Sequence, residues 1–213
     1  MTYTELVAAI KSYTENDYTT TDVNTFIKNA EQRIYNTVQI PDLRKNVTGT
    51  MASGNKYFAL PSDWLSTFSI SVINSSNEHT FLLNKDVNFI REAFPDTDSG
   101  FYGKPEYYGI FDDTTMILGP TPDDNYSAEL HYYYYPTSIV ADGSSWLGNN
   151  FDTALFYGAL LEAAAFMKED ADTVTQYTAK YSETIQLLRN LGEGKNRRDS
   201  YRSGQERVPV GGK

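Results

Sequence analysis

Residue types that perform chemistry are sparse in this chain, and their spacing does not gather them. The sequence has no cysteine and only two histidines, so thiol nucleophiles, thiolate metal sites and disulfides are excluded. His79 and His131 read as exposed or core side chains, because zinc sites and general bases need paired ligands or an orienting partner. No Gly-x-Ser-x-Gly elbow presents a serine nucleophile. Gly211-Gly212-Lys213 resembles the end of a phosphate loop but lacks the earlier glycine, the Ser/Thr and the following helix. Asp112-Asp113 and Asp123-Asp124 do not alternate as the ligands of a calcium loop do, and they suit turn caps better. The chain is therefore expected to have no catalytic residue, cofactor or metal. Two alternatives stay open: the 28 acidic residues allow a carboxylate pair for peptidoglycan hydrolysis, and Tyr132–Tyr135 could stack sugars or bases.

Charge narrows the partners. A net charge of −10 and a pI near 4.6 argue against a general nucleic-acid coat, since phosphate binding is driven by Lys and Arg. That charge is uneven. Between Gly192 and the C-terminus, Lys195, Arg197, Arg198, Arg202, Arg207 and Lys213 face only Glu193, Asp199 and Glu206, a basic segment on an acidic body. The start Met1-Thr2-Tyr3-Thr4-Glu5 has no basic and apolar leader, and no run approaches the roughly 18 apolar residues of a membrane span. A soluble protein made in the cytoplasm is expected.

These residues must be positioned by two kinds of element. Thr2 and Glu5 have capping-box spacing, and Leu6, Val7, Ile10 and Tyr13 stripe a helix that ends near Asn16-Asp17. A second helix opens near Thr21-Asp22, carries Val23, Phe26, Ile27, Ala30 and Ile34, and stops by Pro41. From Asn46 the period shortens. Val47–Met51, Tyr57–Leu60, Phe68–Ile73, Phe81–Leu83, the hairpin arms Tyr107–Phe111 and Met116–Leu118, and Ala128–Tyr135 read as strands, with one short helix between Lys85 and Phe94. Helical spacing returns at Asn149-Asn150, expected to cap a helix over Phe151–Lys168 with a small-residue face. A last helix striped by Val174, Tyr177, Tyr181, Ile185 and Leu188 is expected to stop before Gly192 and Gly194.

The reading is an α+β chain. An antiparallel helical bundle is expected from residues 1–44 and 145–191, with an antiparallel β-rich insert at 45–144 and an extended basic tail at 192–213. The 17 tyrosines favour strands and subunit contacts, because the ring is apolar and its tip tolerates water.

The ordered marks along the chain resemble the adaptor (connector) family that joins head to tail in short-tailed and related bacteriophages. They are Leu6–Ile10 followed by Ala30-Glu31-Gln32-Arg33-Ile34; Asn55-Lys56-Tyr57-Phe58-Ala59-Leu60-Pro61-Ser62-Asp63-Trp64; Gly103–Tyr108; Leu118-Gly119-Pro120-Thr121-Pro122-Asp123; and Tyr132–Pro136, Trp146-Leu147 and Asp152–Met167. The resemblance covers about residues 5 to 190 and leaves the tail outside. It implies a structural virion protein of the neck, a subunit of a ring that is expected to be dodecameric. That ring would bind the portal protein on one side and tail or nozzle proteins on the other, with phage DNA passing through its lumen. It further implies portal binding by the tail, through Lys195, Arg197, Arg198, Tyr201, Arg202, Arg207, Val208, Pro209 and Val210. Another tail or nozzle component is the nearest alternative, and the sugar hydrolase is the more distant one.

Overall fold

In the computed structural model, which describes residues 1–95 and 99–195, Thr2 accepts the Glu5 N–H and Glu5 accepts the Thr2 N–H at 2.7 Å. That reciprocal cap satisfies two donors with no intrahelical partner and starts the first helix. Among the described residues the α-helices in chain order are α1 (Tyr3–Thr14), α2 (Thr20–Thr37), α3 (Val87–Ala93), α4 (Ile139–Asp142), α5 (Trp146–Asn150), α6 (Asp152–Met167) and α7 (Ala171–Lys195). The strands are β1 (Arg44–Met51), β2 (Tyr57–Ala59), β3 (Ser66–Ile73), β4 (His79–Phe81), β5 (Leu83–Asn84), β6 (Tyr107–Asp112), β7 (Thr115–Gly119) and β8 (Tyr126–Tyr133). They divide into two compact units: Met1–Asp42 with the chain from Pro136 onward, and Leu43–Tyr135.

In the helical unit, α6 buries Ala154, Leu155, Phe156, Gly158, Ala159, Leu160, Ala163 and Ala164. A helix apolar over most of its circumference must be surrounded, and α1, α2 and α7 pack against it. Gly158 sets the spacing: a Cβ there would lie 3.1 Å from the Ala30 Cβ of α2 and 3.3 Å from the Tyr181 ring of α7. At the rim Glu162 of α6 pairs with Arg33 of α2 and accepts from Asn29 at 3.2 Å. The buried Glu31 carboxylate accepts the Ile139 N–H at 2.9 Å and so holds the start of α4 against α2. Burial pushes that carboxyl above its ordinary range, and the bond from Ile139 pulls it back.

Three expectations are corrected here. The helix α2 is capped by Thr19 and ends at Thr37, short of Pro41, because Val38 turns extended and buries its side chain with Ile40. Asn149-Asn150 do not cap α6: Phe151 stands at that position without a side-chain bond, while the Asn150 amide turns back to the Trp146 carbonyl at 2.9 Å inside the separate short helix α5. The last helix does not stop before Gly192 but runs to Lys195. Gly192 is a point of close approach, since a Cβ there would meet the Gln39 carbonyl oxygen at 2.8 Å and Ile40 Cγ2 at 2.9 Å.

The β unit has two four-stranded sheets, ordered β1-β8-β3-β4 and β2-β7-β6-β5. They share one core, with Met51, Ile70, Val72, Leu130 and Tyr132 from the first and Phe58, Tyr108, Met116 and Leu118 from the second. Among the strands named here, all pairings are antiparallel except β5 with β6. The sheets are thus antiparallel-rich, as expected, with this one parallel pair. Its physical reason is the crossover that carries α3, since parallel neighbours need a long connection. The helix rests on β6 and β7, where two glycines open a seat for it. A Cβ on Gly109 would lie 3.2 Å from Ile90 Cδ1, and one on Gly119 would lie 2.9 Å from Ile90 Cγ2.

The Leu60–Trp64 turn has a structural role in this unit. Asp63 accepts the Tyr132 hydroxyl at 2.8 Å and the Lys45 ammonium at 2.7 Å, joining the turn after β2 to β8 and β1. Lys45 and then Tyr132 hold the Asp63 carboxyl below its usual range, while burial and then Asp63 push the Tyr132 phenol up to about 12. Asp123, and then burial, push Tyr126 to about 12 as well.

Two predictions follow from this geometry. Gly192→Ala forces α7 off the Gln39–Ile40 segment and destabilises the chain by about 1–3 kcal/mol, whereas Gly194→Ala, at a position with open space, stabilises it by up to ~1 kcal/mol; thermal unfolding followed by circular dichroism separates the two. Because both tyrosine pKa values are raised in the fold, their contribution to stability is complete below about pH 10. It is lost as pH rises through about 12. Alkaline titration by tyrosinate absorbance shows Tyr132 and Tyr126 among the late-titrating phenols of the folded chain, beside Tyr177 and Tyr181, which burial raises as well, and Tyr132→Phe removes one of them.

Candidate functional site

Of the tail residues expected to bind a portal, only Lys195 falls among the described residues. Lys195 is the last residue of α7, and Arg197, Arg198, Tyr201, Arg202, Arg207, Val208, Pro209 and Val210 lie outside the described residues. The functional question therefore turns on the surfaces of the two units.

The two histidines lie on the same face of the β1-β8-β3-β4 sheet. His79 Nδ1 sits 3.4 Å from Glu129 Oε2 and 3.2 Å from Ser71 Oγ. Glu129 lies two residues before His131 on β8, which puts both on one face by the strand period. That juxtaposition is legible in the sequence from the i, i+2 spacing alone. Ser71, His79 and Glu129 are the residue types of a hydrolase triad, but not its geometry. In a triad the acid orients one ring nitrogen while the other takes the serine proton; here Nδ1 faces both partners, and Ser71 is almost fully buried. His131 packs edge-on against Phe68 at 4.9 Å. Burial, and then the Arg44 guanidinium, hold its imidazole below the usual range. Among the described residues no group of three or more His, Asp or Glu is gathered to hold a metal ion.

The aspartate pairs serve turns. Asp112 accepts the Thr114 N–H and hydroxyl, each at 2.8 Å, and these bonds hold its carboxyl low. Asp123 accepts the Tyr126 hydroxyl at 2.7 Å, and Asp124 accepts the Asn125 N–H at 2.7 Å. A groove of about 520 Å³ beside β1 and β2, lined by Val47, Gly49, Asn55, Tyr57 and Leu60 among others, holds no carboxylate, imidazole or amine. Another of about 420 Å³ in the helical unit is lined by Tyr13, Tyr157, Tyr177, Lys180 and Glu183. Burial is the main cause that raises the Tyr177 phenol.

The tyrosine run divides as the end of a strand would divide it. Tyr132 is buried, Tyr133 and Tyr134 are half-buried, and Tyr135 lies beyond β8, exposed. Rings and cations in the β unit are matched one to another. The Arg44 guanidinium lies 4.6 Å from the Phe68 ring centre, Lys45 4.7 Å from Tyr134, Lys56 5.6 Å from Tyr57, Lys85 5.4 Å from Phe89 and Arg91 5.1 Å from Phe111. Lys104, the remaining cation of this unit, donates to Thr80 at 2.7 Å. Each exposed pairing is worth ~0.5–1 kcal/mol, and aromatic rings with arginine are the side chains that dominate protein interfaces. What this surface can do is adhere.

Its densest part surrounds α3. Phe111 of β6 meets Tyr57 at 5.5 Å, and Tyr107 meets Phe89 and Phe94 of the α3 region, each at 5.9 Å. Tyr57, Leu83, Phe89 and Phe111 stay open to solvent. A sequence reading that recognised single strands could not find this face, because it is assembled from β2, the β5–α3 connection, α3 and β6.

No curated protein matches the chain. The family described as SU10 adaptor protein matches residues 1–209, so the match takes in most of the basic tail that the sequence resemblance had left outside. No helix of the described residues is long and apolar enough to cross a membrane. With a family match across nearly its whole length, this chain belongs to the SU10 adaptor proteins, a family of bacteriophage head-to-tail adaptors.

Proposed function

We propose that this protein is the repeating subunit of a closed ring in the virion neck, docked on the portal and joined below to tail or nozzle proteins. The family match carries the reading, and its reach to residue 209 supports a role for the basic tail. Head-to-tail contacts that close by rotation build rings from subunits with two different sides, and a chain with a helical unit and a β unit offers such sides. In this reading the helices around α6 form an antiparallel bundle that serves as the frame, and the β unit is a lobe for contact. The protein acts by binding and not by catalysis.

The tail is the portal strap. Arg197, Arg198, Arg202 and Arg207, with Tyr201, Val208, Pro209 and Val210, combine charge with a short apolar end, and Lys195 marks its root. Straps that are individually weak act together around a ring through effective concentration. The acidic body, in turn, keeps passing DNA from adhering to the lumen by like-charge repulsion.

Truncation belongs after Lys195, because cutting after Leu191 would also remove the Gly192 contact with Gln39 and Ile40. A chain ending at Lys195 keeps its fold and loses portal binding by at least roughly tenfold, about 1.4 kcal/mol, in a sedimentation assay with purified portal. Equal affinity of the truncated and full chains would remove the tail from the mechanism.

A further inference from the structure

We infer that the open side of the β unit, between the edge strands β1 and β2, receives the β4–β5 segment of the next copy of this chain, with Phe81 and Leu83 as its apolar anchors. The inference rests on the ring reading and assigns a contact to it. On one side of the unit β1 and β2 are the outer strands of the two sheets, and on the other side they are β4 and β5. Those two are consecutive: the chain passes from the first sheet to the second through the buried Leu82 and so closes that side. No such segment joins β1 and β2, and the groove of about 520 Å³ runs between them, lined by Val47, Phe58, Leu60 and Leu130.

Native sheets guard their edges by keeping edge strands short, charged or bulged. The strands β2 and β4 have three residues and β5 has two, but β1 has eight. It pairs with β8 in unbroken register and bears no charge or proline from Asn46 to Thr50. The Tyr134 N–H donates to the Leu43 carbonyl at 3.0 Å. Hydrogen-bonded pairs alternate along an antiparallel ladder, so Asn46, Thr48 and Thr50 turn their N–H and C=O groups away from β8, toward the open side.

The β4–β5 segment is the matching half. From Thr80 to Asn84 it too is uncharged. Phe81 and Leu83 are 65% and 61% exposed, the most open of the large apolar side chains among the described residues, while Leu82 between them enters the core. The Leu82 N–H donates to the Ile70 carbonyl at 2.9 Å, so by the same alternation His79 and Phe81 turn their backbone groups away from β3. Across the sheet β1 and β4 run in opposite directions, and a second copy set beside the first in the same orientation continues the ladder antiparallel. Recognition here is by main-chain pairing and apolar area, the terms of strand addition. The two surfaces differ, so the contact is heterologous, the kind that closes into a ring.

The test places a photo-crosslinking phenylalanine analogue at Phe81 of the full chain. Equal amounts of ¹⁴N- and ¹⁵N-labelled protein are assembled on the portal, and the tryptic products are mapped by mass spectrometry. Mixed-label products joining position 81 to the peptide Asn46–Lys56 are expected. Single-label products only, products with another protein, or no product from an assembled ring would each overturn the assignment while leaving the ring itself standing. Absence of a ring by electron microscopy would instead overturn the reading beneath it, and the contact with it. In a second arm, Phe81→Ser with Leu83→Ser, and separately Thr48→Pro, whose lost N–H faces away from β8, each raise the chain concentration needed to complete the ring roughly tenfold. Variants that keep the circular dichroism of the parent and assemble at its concentration would also sink the proposal.

Discussion

Close approach at α6 is the constraint from which the helical unit follows. A helix whose buried residues include Ala154, Gly158, Ala159, Ala163 and Ala164 has little side-chain bulk of its own, so its burial depends on neighbours coming near. At Gly158 they come from both α2 and α7, leaving less than ordinary contact distance for a Cβ. Gly192 repeats the device where α7 crosses the Gln39–Ile40 segment. Interiors packed this tightly transmit small changes in volume instead of absorbing them. The buried Glu31 carboxylate belongs to the same design: it receives the chain as it returns from the β unit, through the Ile139 N–H.

The β unit solves a different problem. Its exposed aromatic rings would invite non-specific association, yet the cations here lie over rings and keep those faces partly polar. Arg44 over Phe68 and Arg91 over Phe111 are the same solution on the two sheets. An acidic, tyrosine-rich composition is then intelligible: rings provide contact area and cations keep their faces partly polar. The Asp63 carboxylate, shared by Lys45 and Tyr132, ties this surface to the core.

Much of this was legible in the sequence, for identifiable reasons. The Thr2/Glu5 capping box, the long stripes of α2 and α7, and the alternation in β3 and β8 are strong periodic signals, and the order of short motifs pointed to the adaptor family. What failed was local or assembled. Gly192 reads as a stop signal because a glycine at a helix end and one at a crossing look alike in one dimension. The helices α4 and α5 are too short to show a period, and Asn150 suited a cap that Ser145 supplies to the neighbouring helix instead. The parallel β5–β6 pair and the aromatic face around α3 depend on a crossover that places Phe89 and Arg91 over strands far away in sequence. Pairings of that kind are set by tertiary packing and leave no local trace.

The central claim is that a close-packed helical frame and an adhesive β unit make a ring subunit that docks on a portal. Electron microscopy of the full chain mixed with its cognate portal tests it most directly. The account predicts a second closed ring of this protein stacked coaxially on the portal, with its subunits in heterologous contact. Portal particles unchanged beside a monomeric chain, at concentrations where both are folded, would contradict it.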